Sequence, residues 1–185
     1  MDVGGVKRFV RDRRELEAFR ERAKLHPCPH CQCVGALNAH GSVSGYAEVG
    51  SERVARGHRF FCSNRHRRPG CGRTFTLWLA DVLRCCVVRT ATLWRFLSAI
   101  AGGQSRQAAW QLSGGSVLST RSGYRLCDRF ARAGPRLRSL LSSLCPPPTS
   151  TSPLPIAQLI DHLRLALLAE PLSAFQYRFQ IDLLG

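Results

Sequence analysis

Carboxylates are scarce in this chain. Of its 185 residues only 12 are Asp or Glu, against 27 Lys or Arg, so the formal net charge is +15 and the pI about 10.7. Solubility needs far less than this, and the imbalance implies a polyanionic partner. The positive residues are almost all arginine, whose planar fork suits phosphates and guanine edges better than a lipid surface. A GC-rich coding sequence would raise the arginine count, but it would not decide where the arginines cluster. Long apolar runs are also missing, which argues against a membrane span. Residues 1–24 are charged and helical in pattern, unlike a signal peptide, so the chain is expected to stay where it is made.

With 44% hydrophobic residues, the chain has room for one compact domain or for two small modules and a tail. Nine cysteines without a secretory leader point to a reduced compartment and a metal site rather than a disulfide scaffold. Cys85, Cys86, Cys127 and Cys145 lie among apolar residues and read as small core side chains.

The expected fold class is small α+β: a β-rich zinc ribbon, then an all-α helix-turn-helix module, then a helical C-terminal tail. Residues 1–25 read as a basic N-terminal region with a helix over about 7–25, and residues 26–80 as the ribbon. Glycines there punctuate short strands such as Tyr46-Ala-Glu-Val49 and His58-Arg-Phe-Phe61, with Arg73 to Trp78 closing the ribbon. Residues 81–144 carry the helical module. The pattern gives helices over about 91–101, 105–112 and 119–132, with Thr90 as an N-cap and a helical region beginning near Trp78. Gly134-Pro135 is expected to stop the third, and a further short helix to follow over 136–144. A proline-rich linker occupies 145–155, and one amphipathic helix over about 156–169 is expected to be broken by Pro171.

Cys28-Pro-His-Cys31 has the two-residue spacer that places both sulfurs on one ion. Cys62 and Cys71 complete a four-thiolate set, although their spacer of eight residues is long. His66, three residues beyond Cys62, is the alternative fourth ligand. His30 and Cys33 are near but worse placed. Four thiolates close the shell of a single structural Zn2+ and leave no position for a reactive water. A deaminase is excluded because no His-x-Glu lies upstream of the Pro-Cys-x-x-Cys.

Within Ser105 to Phe130, a short helix, a glycine turn at Gly114-Gly115 and a second helix match a helix-turn-helix. Arg121, Arg125, Arg129 and Arg132 recur at three- and four-residue steps, forming a stripe on the second helix. Ser119, Thr120, Arg121 and Tyr124 occupy its first turns, where a recognition helix meets base edges. Arg121 and Arg125 are candidates for base or phosphate contact, and Arg129 and Arg132 for phosphate. Arg65, Arg67 and Arg68 cluster between Cys62 and Cys71.

Cys28-Pro-His-Cys31, Gly57-His-Arg-Phe-Phe-Cys62-Ser, Cys71-Gly-Arg-Thr-Phe75 and Ser105 to Phe130 together resemble a known arrangement. Residues 26–132 look like the zinc-ribbon and helix-turn-helix N-terminal region of bacterial insertion-sequence transposases, and like the small zinc-ribbon regulatory proteins such elements encode. The resemblance implies recognition of an element's terminal repeats. A catalytic domain of the ribonuclease H type needs three carboxylates holding two metal ions. After residue 132 only Asp161, Glu170 and Asp182 remain. The expectation is therefore a non-enzymatic, sequence-specific DNA-binding protein: an accessory, regulatory or truncated transposase, cytoplasmic and nucleoid-associated. Its expected partners are double-stranded DNA and either a separate transposase subunit or a second copy of the chain. Two alternatives are an adaptor that recruits a catalytic partner through its C-terminal segment, and an RNA-binding ribbon.

Overall fold

The structure is a computed structural model and describes residues 8–46, 52–65, 67–115, 118–150 and 152–185. It is a small α+β protein, with four strands and six α-helices among the described residues. Strands β1 (Phe9–Val10), β2 (Leu37–Tyr46), β3 (Arg53–Cys62) and β4 (Thr74–Leu79) form one sheet in the order β1-β4-β3-β2. The β2–β3 and β3–β4 pairs are antiparallel, and β1 joins β4 in parallel. Helix α1 (Arg13–Glu21) is capped by the Asp12 side chain on the Glu15 N–H, and it covers one face of the sheet. On that face Leu16 and Phe19 join Val10, Leu37, Phe60, Leu77 and Leu79 in a core. Phe19 meets Phe60 edge-on at 5.0 Å.

The remaining helices are α2 (Thr90–Ala101), α3 (Arg106–Leu112), α4 (Thr120–Ser142), α5 (Pro155–Ala166) and α6 (Pro171–Phe179). All five contribute to a second core, which includes Leu93, Trp110, Phe130, Leu163 and Phe175. Two glutamines bind it to the sheet. Gln176 donates to the carbonyls of Ala80 and Val82 at 2.8 and 2.9 Å. Gln180 receives the N–H groups of Arg8 and Phe9 and donates to the Phe9 carbonyl.

Several expectations are corrected here. The helix expected over 7–25 is a two-residue strand, then α1, then a 3-10 turn at Ala23–Leu25. Trp78 lies in β4, and Thr90 is the first residue of α2 rather than its cap. Its hydroxyl bonds Asp81 and Ser173 instead. The expected stop at Gly134-Pro135 does not occur: α4 runs through both residues to Ser142. The helix loses one hydrogen bond to the proline, but Gly134 has no Cβ to clash with the proline ring. Burial of Leu137 and Leu141 beside Phe130 favours continuation. Pro171 likewise opens α6 rather than ending a helix, at the first position where its missing N–H costs nothing. Residues 156–184, expected as a tail, share the core of α2–α4. Cys127 is buried as expected and Cys86 and Cys145 are partly so, but Cys85 is exposed. The readings at 47–51, His66 and Ser116 fall outside the described residues.

Helices α3 and α4 meet around the fully buried Trp110, and a Cβ at Gly123 would stand 2.7 Å from its ring. Alanine gains roughly 1 kcal/mol of helix propensity. Overpacking a rigid site costs about 1–3 kcal/mol. Gly123→Ala should therefore lower stability in urea unfolding, and Trp110→Phe should relieve part of that loss. A variant as stable as the parent would show that the two helices do not pack on this ring.

Candidate metal centre and arginine surface

Cys28 and Cys31 stand on the hairpin before β2, while Cys62 ends β3 and Cys71 begins the return to β4. Their four sulfurs lie within 4.8 Å of one another. Cys28 to Cys71 is 3.8 Å and Cys31 to Cys62 is 3.7 Å. A tetrahedron with metal–sulfur bonds of about 2.3 Å has edges of about 3.8 Å. The donor set thus fits a single metal ion. Cys33 turns its thiol to the Val34 carbonyl, and the His30 ring lies 3.4 Å from the Thr74 carbonyl.

The two hairpins share one backbone design despite their unequal spacers. Cys28 N–H donates to Cys33 O, and Cys62 N–H to Arg73 O, both at 2.9 Å. Gln32 N–H donates to Cys28 O at 2.8 Å, and Gly72 N–H to Cys62 O at 2.9 Å. Gln32 and Gly72 take matching left-handed conformations, with φ of 60° and 72°. The eight residues between Cys62 and Cys71 therefore leave the hydrogen-bonded frame intact.

This frame aims N–H groups at the sulfurs. His30 N–H points to Cys28 Sγ and Cys71 N–H to Cys62 Sγ, each at 3.4 Å. The Cys33 N–H lowers the Cys31 thiol to about 7. Burial pushes the Cys62 thiol up to about 12. It also raises Cys71, against an opposing hydrogen bond from the Arg73 N–H. Preoriented dipoles of this kind stabilise thiolates, the form in which cysteine binds metal.

Of the predicted contact residues, Arg121 and Arg125 are exposed on the first turns of α4 and make no ion pair among the described residues. Tyr124 is 39% exposed. The Arg106 guanidinium lies 5.6 Å from its ring centroid and pairs with Asp128 at 3.4 Å. Ser119 precedes the helix with its hydroxyl on Ser122, and Thr120 is half-buried. Arg129 departs from the expected open stripe: it is half-buried and donates to Cys86 Sγ at 3.3 Å. Arg132 is exposed, with Nε on the Asp128 carbonyl. Arg65, Arg67 and Arg68 are exposed on the loop between Cys62 and Cys71.

Sequence reading missed a larger charge feature. Residues 53–80 contain seven arginines and no carboxylate, and the acids nearest in sequence before them are Glu48 and Glu52. It also missed Arg56 and His58, buried polar residues of β3, with Arg56 bonded to the Leu83 carbonyl. Burial and the nearby Arg20 lower the His58 pKa. The alternation of β3 was the available signal for both. Among the described residues no helix is long and apolar enough to cross a membrane. The chain matches no protein-family model, and no curated protein or solved structure is detectably similar to it.

The four-cysteine site should bind one metal ion per chain, measurable by elemental analysis and by thiolate-to-metal absorption on cobalt loading. Because Cys62 and Cys71 hold protons at neutral pH, binding must displace them. Below about 7 Cys31 takes up its proton as well. Affinity should fall with falling pH, and more steeply below neutrality; a competition titration giving pH-independent affinity would contradict this. A Cβ at Gly70 would stand 2.8 Å from Cys62 Sγ. Gly70→Ala should weaken binding by about 10–100-fold, the usual scale for disturbed ligand support.

Proposed function

We propose that this chain is a zinc-stabilised, sequence-specific DNA-binding protein, built as a zinc ribbon followed by a helix-turn-helix. It is transposase-like but without a catalytic domain. Zinc is the ion favoured because four thiolates in a closed tetrahedral shell suit a redox-silent structural role. The observation that carries the reading is the pair Arg121 and Arg125, exposed on the first turns of α4 and without an ion pair among the described residues. Those turns are where a recognition helix reaches base edges, and Tyr124 lies between the two arginines. Arg132 and the Arg65, Arg67, Arg68 loop would hold phosphates, which position a protein without reading sequence.

A non-enzymatic role is supported by the acids after residue 132. Asp161 pairs with Arg164 at 3.7 Å and Asp182 lies 3.7 Å from Arg84, while Glu170 lines a separate cleft at the start of α6. The adaptor reading has less support. The C-terminal helices place Leu159, Ile160, Leu163, Leu172 and Phe175 in the chain's own core, so those residues are not available to a partner. The same burial fits the helices to a structural task, that of bracing α4 from behind.

Titration of the full chain against the DNA flanking its gene, random duplex and RNA tests this. Tight, sequence-dependent duplex binding with a steep salt slope is expected. Replacing either arginine by alanine should cost about 1–3 kcal/mol at a base-contacting site, or lower the salt slope by about one at a phosphate. Equal, weak binding to all three nucleic acids would refute the assignment, and iron in the purified protein would replace structural zinc with a redox centre.

A further inference from the structure

The sheet has a second face, opposite α1. Cross-strand register fixes its membership. Phe60 and Cys62 point into the α1 core, so Phe61 and Arg59 point the other way. Phe61 pairs with Thr74 and Asn38, and Arg59 with Thr76 and Gly41. Phe61 belongs to neither hydrophobic core, though it is a large apolar ring only half-buried.

What surrounds Phe61 is cationic or polar. The His40 ring lies 6.1 Å away at a 43° tilt, and the Arg65 guanidinium 6.0 Å from the ring centroid. Both distances are at the outer edge of ring contact, so neither group covers the ring closely. Arg59 is exposed two residues before Phe61 on the same face, and Thr74, the cross-strand partner of Phe61, is exposed as well. No carboxylate occurs in β2, β3 or β4. An apolar partner would bury these cations at a cost, and an acidic protein would leave the ring without a stacking surface. A polyanion that carries π-faces satisfies both features at once.

We propose that this face is a second nucleic-acid contact, in which an unpaired base stacks on Phe61 while Arg59 and His40 hold the flanking phosphates. The inference rests on the DNA-binding reading above and extends it: α4 engages duplex, and the sheet engages a single strand beside it. Aromatic platforms in a positive setting bind bases with little sequence preference, since every base offers a π-face.

The test uses the full metal-loaded chain with two DNAs, a blunt duplex and the same duplex with a short single-stranded overhang containing 2-aminopurine. Stacking quenches this base, so the parent protein should quench the overhang and bind it more tightly than the blunt duplex. Phe61→Ala should abolish the quench and lose about tenfold in affinity for the overhang DNA. Its affinity for the blunt duplex should be unchanged, and Phe61→Tyr should retain the quench. Metal content and thermal midpoint establish that Phe61→Ala folds. If it does not, His40→Ala replaces it, with a weaker overhang affinity expected. Equal affinity for both DNAs without quenching would overturn the inference and leave duplex binding standing. Quenching of the overhang without any blunt-duplex binding would sustain the stacking site while removing the duplex reading.

Discussion

Four sulfurs brought within 4.8 Å are the constraint on which the sheet depends. Such proximity would be unfavourable among thiolates alone, because like charges at this separation repel. Two hairpins with matched hydrogen bonds make it possible by turning backbone N–H groups toward the sulfurs. The contrast between Cys31, lowered to about 7, and Cys62, pushed up to about 12, shows the limit of that support. Dipoles ready the exposed corner, while the buried corner requires a cation. An ion bound by these four sulfurs would tie the hairpin before β2 to the end of β3, so its binding would be coupled to folding of this end of the sheet. The loop of Arg65, Arg67 and Arg68 is bounded at both ends by cysteines of the quartet, so its positive charge is presented from a fixed base.

The helical layer is held by different means. Gln176 and Gln180 satisfy main-chain groups at Arg8, Phe9, Ala80 and Val82, where β1 and the end of β4 would otherwise leave polar backbone under the helices. Unmet buried backbone is costly, so Gln176, whose bonds are buried, contributes orientation as well as stability, while the more exposed bonds of Gln180 mainly fix the edge at β1. Helix α6 therefore joins the sheet to the core that also contains α4. Continuity of α4 through Pro135 has the same origin. Its C-terminal half is a packing element, with Leu137 and Leu141 inward, and its N-terminal half projects Arg121 and Arg125.

Local chemistry was legible in the sequence, and long-range chemistry was not. Cys-x2-Cys, the β-ribbon alternation and the glycine turn before α4 are each decided by neighbouring residues. Such local signals anticipated helices overlapping α1 to α5, and the cysteine quartet is the one long-range feature that they also marked, because a metal's ligand number calls for a second pair. Strand β1 is two residues long and exists only because β4, almost seventy positions later, offers it an edge. The proline-containing α4 was misread because a local penalty of one hydrogen bond is smaller than the burial gained by continuing. Pro171 was misread for the converse reason, since the same residue that ends one helix is suited to begin the next. Arg129 was counted as an open arginine because its sequence spacing cannot show that Cys86 lies opposite. Its neighbours Arg121 and Arg125 meet no such group and keep their charge toward solvent.

Charge separation along the chain gives this architecture its direction. Seven arginines and no acid occupy residues 53–80, whereas Asp128 and Asp161 sit beside arginines of the helical layer and Asp182 beside Arg84 in the connection before α2. Residues 81–185 carry twelve arginines against five acids, so their excess equals that of residues 53–80 but is spread over a much longer stretch of chain. Long-range attraction to these arginines would govern encounter, and it would weaken as salt screens it. In the proposed DNA-binding role, discrimination would have to come from groups that form directional contacts once encounter has occurred. Arg121 and Arg125 have that capacity because, among the described residues, no carboxylate pairs with their guanidinium groups. The sheet with its arginine loop and the first turns of α4 thus present exposed arginines from two parts of the fold, each fixed by its own packing.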